Sequence, residues 1–486
     1  MAPGSFGKEI WNVVRSQRTG LLPVLNLYFQ TVSSSFLEPY HRGWRDQIEE
    51  CPRYEGVDLG RVLGFIPGKE RKEWIAVLRF PKGLRNWCSM KMHILIGLVL
   101  FWCLPAHATT IHAASCSQAD VQSAVNSAAN GDTVDIPTGG TCAYSSSAVT
   151  ISGKYITLEG LGITTLTSNN FNIIHVQPTS TGSTRITGFT INEDNGNDST
   201  AAIWVHGSGT TGLDYPFRID HNTFTVTNNF TEVTVEGNGP GLFDHNTTNQ
   251  GGSAEFIHNL GLQRYGNCCG WTDDMVPGNA NMFFIEDNTF NGIGAPNVSH
   301  IVESYYGART VIRHNTFNQT TVDQHGTCGH VYARWWEIYQ NQWVGTAGNL
   351  SFYAHLRGGS GVVWGNTATG TFSGAATIEM LEDCGSIQPQ SPGGGYEPNG
   401  TRVLSPAYVW GNDASIPINS AGGPTLGTDY FVSSNQPATL TRLESAADMT
   451  AGSPVSYNYT PYTYPHPLQG ASPRPPAPSG LIAVVH

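Results

Sequence analysis

Between Phe217 and Trp343 apolar and polar side chains alternate along the chain and then break at an asparagine. Phe217-Arg-Ile-Asp-His-Asn-Thr-Phe224 returns as Phe283-Phe-Ile-Glu-Asp-Asn-Thr-Phe290 and as Val311-Ile-Arg-His-Asn-Thr-Phe317. Looser copies cover Leu242 to Thr248, Trp336 to Trp343, Val362 to Ala368 and Tyr408 to Asp413. Aligned on Asn222, Asn246, Asn288, Asn315, Asn341, Asn366 and Asn412, the copies lie 24, 42, 27, 26, 25 and 46 residues apart. An apolar residue (Ile219, Phe243, Ile285, Ile312, Ile338, Val363 or Val409) stands three positions before each asparagine. Alternation predicts a strand and the asparagine a turn, so a repeat near this length predicts a solenoid. The two long gaps read as double steps or as steps that carry a loop. Tyr155 to Leu161 and Arg185 to Ile191 extend the register upstream, which makes nine coils.

The period changes from Ala119 to Pro137. Val121, Ala124, Val125 and Ala128 form a helical stripe, with Asp120 as the expected N-cap and Gly131 as the stop, and Thr133 to Ile136 then reads as a strand. Such a helix caps the open end of a solenoid core. Inserts at 193–200, 249–281 and 384–407, the last two rich in Gly and Pro, are expected to leave the coil at its turns and shape a binding face. The coil is expected over 109–415, an aromatic, Pro-rich tail packing on it over 416–470, and a Pro-rich linker over 471–486.

Residues 1–89 are Arg-rich and contain no repeat; a non-native upstream extension or a disordered segment is expected there. Residues 90–108 combine a basic start, an apolar run from Ile94 to Leu104 and an Ala106-His-Ala108 ending, the three parts of a signal peptide. The apolar run falls short of the ~20 residues that span a bilayer, so the expected location is secreted or periplasmic. From Thr109 onward 11 basic residues face 28 acidic ones, and Lys154 is the one lysine. That surface should repel nucleic acid and anionic membranes, and a polyanionic substrate would need a bound cation or an Arg cluster. Six cysteines follow the signal: Cys116, Cys142, Cys268, Cys269, Cys328 and Cys384. An even number in an exported chain favours disulfides; Cys116 and Cys142 are expected to pair, and the connectivity of the other four stays open.

The Asn-Thr-Phe phrase after an alternating strand resembles the right-handed parallel β-helix of the pectate-lyase-like superfamily, over roughly residues 115–415. The resemblance implies an all-β fold, a right-handed parallel β-helix solenoid with an N-terminal capping helix. In it the asparagines stack from coil to coil, and the asparagine itself is expected to take the left-handed conformation of the turn. It also implies a polysaccharide partner. Lys-base lyases of this superfamily find no counterpart here, because Lys154 lies early in the coil. Asp273-Asp274 and His325-Gly326 lack the flanking residues of the polygalacturonase pattern.

Counting from each asparagine sorts the ionisable residues into columns. Two positions before it stand Asp220, Asp244, Glu286, Arg313, Tyr339, Trp364 and Trp410, either a sugar-binding groove or outward residues that the tail covers. The preceding strands are expected at His300 to Tyr306, His330 to Arg334, Ser351 to Arg357 and Thr377 to Met380. They would bring Glu303, His330, Arg334, His355, Arg357 and Glu379 onto adjacent coils as an acid, a base and an oxyanion or carboxylate binder, or as a plain ladder of salt bridges. Tyr305, Tyr332, Tyr353, Asp273 and Asp274 are the substrate-binding candidates. His221, His245 and His314 read as turn residues. No metal site and no cofactor are expected, Ca²⁺ being the one ion left room for. The function expected is a secreted, monomeric β-helix protein that binds a polysaccharide, with no membrane partner after signal cleavage. As an enzyme it would hydrolyse the polysaccharide or eliminate with an Arg base. The competing reading is a non-catalytic cell-surface or adhesion module.

Overall fold

The computed structural model describes residues 108–470 except 169–171, 179–181, 194–200, 208–215, 227–230, 238–239, 252–254, 262–275, 293–299, 326–332, 347–351, 373–375, 382–404 and 443–454. The proposed extension, most of the signal peptide and the linker therefore lie outside the described residues. So do Cys268, Cys269, Cys328 and Cys384. Among the described residues no helix is long and apolar enough to cross a membrane.

The repeat winds as a parallel β-helix. One coil consists of the strands Val302–Tyr305, Arg309–Arg313 and Thr316–Asn318, and each pairs in parallel with its counterparts one coil before and after. The strands flanking the asparagine corner form a continuous 19-stranded assembly, and the remaining strand of each coil builds a separate ten-stranded sheet. Alternation turns Ile219, Phe243, Ile285, Ile312, Ile338 and Val363 inward, all buried. After the corner the aromatic of Asn-Thr-Phe stacks on itself between coils: the Phe290 and Phe317 ring centroids are 5.1 Å apart, and Phe317 and Trp343 5.3 Å. In parallel register, identical positions become neighbours, so a sequence repeat is a contact repeat.

The corner works by a different division of labour from the one expected. The left-handed residue is the one before the asparagine: φ is 54° at His221, 53° at His245, 58° at Asp287, 55° at His314 and 53° at Gln340. Glycine takes that place at Gly365 and Gly411, with φ of 64° and 58°. This is the backbone role of the three histidines. The asparagine supplies bonds instead. Asn288 donates its backbone N–H and its Nδ2 to Asn315 Oδ1, at 3.0 Å each, and Asn315 does the same to Asn341 Oδ1. The chain of amides runs from Asn222 to Asn412. Since Asn246 bonds directly to Asn288, and Asn366 to Asn412, each long gap is a single step carrying a loop.

The capping helix spans Gln118–Ser127 and buries Val121, Ala124 and Val125. Its N-cap is Ser117, whose hydroxyl accepts from the Asp120 N–H at 3.3 Å, so Asp120 lies in the first turn instead of capping it. Its C-cap is Ala128, three residues before the expected stop at Gly131. Cys116 and Cys142 are disulfide-bonded, which fastens this cap to the first coil.

The tail covers the column two before the asparagine. Tyr459 donates to Glu337 Oε2 (2.6 Å); Arg313 donates to the Tyr462 and Thr463 carbonyls (2.7 and 2.9 Å). His466 N–H donates to Glu286 Oε1 (2.8 Å), and Arg218 donates to the carbonyls of Leu468 and Gln469. The tail thus runs back along the stack, from the coil of Glu337 to that of Arg218. Asp220, Asp244, Glu286 and Arg313 are fully buried, and their charges are paired: Arg185 with Asp220, Arg218 with Asp244, and Arg313 with Glu286. This column is therefore internal electrostatics under a cover.

Candidate functional site

The ten-stranded sheet keeps chemistry on its outer face. In register along it stand His175, Trp204, Thr234, His258, Glu303, Asp323, His355 and Glu379. Two positions on along the same strands come Tyr305, His325 and Arg357, the last two extending the ladder through N–H bonds to Ser304 and Gln324 carbonyls. His300 and Glu255 enter from the turns just before their strands.

Asp323 and His325 fill the place expected for His330 and Arg334. The strand between Glu303 and His355 is Val322–Gln324. His330 lies outside the described residues, and Arg334 sits buried at the corner leading into Trp335–Tyr339 of the other assembly. Tyr332, Asp273 and Asp274 also lie outside the described residues. Tyr353 is not on the face: at an irregular step of its strand it turns into the core, edge-on to Trp343 and Phe372. Glu303, Tyr305, His355, Arg357 and Glu379 are brought together.

Glu303 and Asp323 are 0 % exposed, side by side on adjacent coils. Arg357 spans them, Nε donating to Asp323 Oδ1 at 3.0 Å and Nη2 to Glu303 Oε1 at 3.0 Å. Nη2 also lies 2.6 Å from His325 Nδ1. A guanidinium only donates, so Nδ1 accepts and the His325 proton sits on Nε2. His325 Nδ1 also closes on Glu303 Oε1, His258 Nε2 closes on Glu255 Oε2, and Tyr305 donates to Glu255 Oε1 at 3.4 Å.

These contacts drive the acids apart. Burial, the Glu255 carboxylate and the charge on Asp323 push Glu303 well above the ordinary carboxyl range, which favours its protonated form. Burial opposes ionisation of Glu255 too, but bonds with His258 and Glu303 outweigh it and hold that carboxyl at about 2. At Asp323 burial is likewise overcome, by His300, His355 and Arg357, and the group stays ionised. Burial and then Arg357 push His325 down to about 3, leaving it neutral. Burial, with the neighbouring acids adding to it, raises the Tyr305 phenol. A proton donor, an ionised acceptor and a fixed cation thus share one spot. Groups from two adjacent coils, Glu255 on one and His300 and Glu303 on the next, offer ligand atoms within 4.8 Å of one another.

Further along the same face Trp204 clusters with two near-parallel imidazoles, His175 and His206, each ring centroid 4.5 Å from it and 5.8 Å from each other. All three are half-buried. Trp204 shares the Glu303 column, three coils away, about 14 Å at one strand spacing per coil.

The fold and this face define a parallel β-helix with a concentrated ionisable centre on the outer face of its ten-stranded sheet. No family model matches the chain, and no curated protein matches it. Three of the solved structures that match are the following. An alginate lyase from Paenibacillus sp. str. FPU-7 is 15% identical with a TM-score of 0.30, the match covering 54% of this chain and 95% of that one. ORF18 of Geobacillus virus E2 is 11% identical with a TM-score of 0.33, covering 78% and 73%. A mutant of the PL6 family alginate lyase AlyGC is 13% identical with a TM-score of 0.30, covering 67% and 53%. The assignment of the fold rests on the strands themselves.

Proposed function

We propose that this chain is a secreted enzyme that cleaves the glycosidic bonds of a polysaccharide at the Glu303 centre. One observation carries the reading: a pair of acids and an aromatic platform lie in line on the outer face of one rigid sheet. A glycan chain laid along the coils would rest a ring on Trp204 and bring a linkage to the acids. Glu303, whose protonated form is favoured, donates its proton to the leaving glycosidic oxygen. Glu255, ionised and the more exposed of the two, attacks the anomeric carbon as the glycosidic C–O bond breaks, and water then releases the sugar from it with Glu303 taking the water's proton. Their ligand atoms lie within 4.8 Å, nearer to the spacing of a retaining pair, about 5 Å, than to that of an inverting one. Arg357 does not suit the base role, because a guanidinium bonded to Asp323 holds its proton; it anchors negative charge instead.

The test is a polysaccharide panel with the full chain, read as new reducing ends. Glu303→Gln should cut kcat by 10²-fold or more, and Trp204→Ala should raise KM while largely sparing kcat. Product carrying an unsaturated sugar would replace hydrolysis with elimination. Binding without any cleavage would favour the adhesion-type reading.

A further inference from the structure

We propose that His300, Asp323 and His355 form a binding site for a divalent transition-metal ion. The proposal concerns the same centre as the enzymatic reading and adds a cofactor to it. The three residues come from three separate places in the chain, and their ligand atoms lie within 4.8 Å of one another. His300 Nε2 stands 3.0 Å from Asp323 Oδ2, and His355 Nδ1 stands 3.3 Å from the same oxygen. An ion holding nitrogen and oxygen at about 2.1 Å sets neighbouring ligands about 3.0 Å apart on an octahedral edge and about 3.4 Å apart on a tetrahedral one. The observed separations fall in that interval.

The second observation is a lack of other satisfaction. Asp323 Oδ2 (residue 0 % exposed) and both ring nitrogens of His355 (9 %) are buried without a well-directed hydrogen bond, and their close neighbours, His300 and Arg357 around Oδ2 and Glu379 beside Nε2, make charge contacts only. Buried polar atoms are ordinarily satisfied, so Asp323 Oδ2 and the His355 Nδ1 that faces it at 3.3 Å ask for a shared ligand. The surroundings supply the rest of a metal centre. Glu379 Oε2 lies 3.4 Å from His355 Nε2, and Glu303 Oε2 lies 3.9 Å from His300 Nδ1. A carboxylate behind each imidazole orients the ring and fixes which nitrogen is free to ligate. Arg357 holds the same aspartate from another side, Nε on Oδ1 at 3.0 Å and Nη2 at 2.9 Å from Oδ2. Two imidazoles and one carboxylate suit zinc, iron, cobalt, nickel or manganese, whereas Ca²⁺ takes oxygen ligands.

The experiment uses the untagged full chain, stripped with a chelator and titrated with Co²⁺, whose visible absorption reports nitrogen and oxygen ligation directly. One equivalent should develop the bands and Zn²⁺ should abolish them. His300→Ala, which alters the most exposed of the three side chains, and His355→Ala should each weaken binding 100-fold or more. Glu379→Gln should weaken it 10- to 100-fold by loosening His355. Far-ultraviolet circular dichroism identifies any variant that has lost its fold. Absence of the bands in the folded wild type, or bands unchanged in folded His300→Ala and His355→Ala, overturns the proposal. Because the bands are read without any glycan, failure of the metal site and failure of the enzymatic reading are separate results.

Discussion

Replacing Asn315 by alanine removes one rung from the middle of the amide ladder, and the loss can be worked bond by bond. Its Oδ1 accepts from Asn288 N and Nδ2, at 3.0 Å each; its Nδ2 donates to Ile285 O, Arg313 O and Asn341 Oδ1, at 2.8, 2.9 and 3.0 Å. A net hydrogen bond stabilises by about 1 kcal/mol, and a buried donor left without an acceptor costs about 1–3 kcal/mol. Asn288, 2 % exposed, loses the acceptor of its backbone N–H. The expected destabilisation is therefore about 4–6 kcal/mol, near the whole stability of many domains. The end of the ladder supplies the control. Asn412 loses three bonds, to Asn366 N and Nδ2 and to Val363 O, in a half-buried setting, so Asn412→Ala should cost about 2 kcal/mol. Denaturant unfolding of both variants, monitored by tryptophan fluorescence, measures the difference. A cost below about 1 kcal/mol for Asn315→Ala, or equal costs for the two, would refute the idea that the asparagines carry the corner.

The disulfide closes a separation of 26 residues, so Cys116→Ala with Cys142→Ala should lower stability by about 3 kcal/mol on the chain-entropy account, checked by the same unfolding assay. Acid should loosen the tail: burial, then the charges of Arg313 and Arg218, hold His466 at about 4 against an ordinary 6.5. Its stabilising effect is complete above about pH 6.5 and is lost as pH falls towards 4, at most about 3 kcal/mol at ~1.4 kcal/mol per unit. Glu286, raised by burial, works in the opposite direction. The informative quantity is thus the difference in Tm between wild type and His466→Asn, which keeps an acceptor for the Leu468 N–H now bound to Nδ1. That difference should shrink from pH 7 to pH 4.5; a constant difference would show that His466 does not titrate in the folded chain.

The architecture was legible because a parallel coil converts sequence repetition into neighbouring positions, and Asn222 to Asn412 marked every corner. The column covered by the tail was also visible by counting. The centre was only half visible, for a physical reason. Where it lies, the inward positions are Asn259, Ser304 and Gln324 in place of apolar residues, all buried, with Asn259 and Ser304 both bonded to Thr310. Apolar alternation lapses there, so the three-residue strand Val322–Gln324 is not legible in the sequence, and the expected strand falls at His330 to Arg334 instead. The β-branched run Thr320-Thr-Val322, directly after the Asn315 phrase, was the available signal. Glu255 and His300 sit in turns, outside any periodic pattern, and only the folded coil shows that they face Glu303.

The returning tail has a consequence in time. A chain made from its N-terminus completes every coil from Arg218 to Glu337 before Tyr459 to Gln469 exist to cross them, so the strap can close only over a stack already wound. Coils of a solenoid hold mainly to their nearest neighbours. A strap that reaches back past several of them makes the last-synthesised segment a latch, and opening the stack under Asp244, Glu286 or Glu337 first requires lifting residues anchored on other coils.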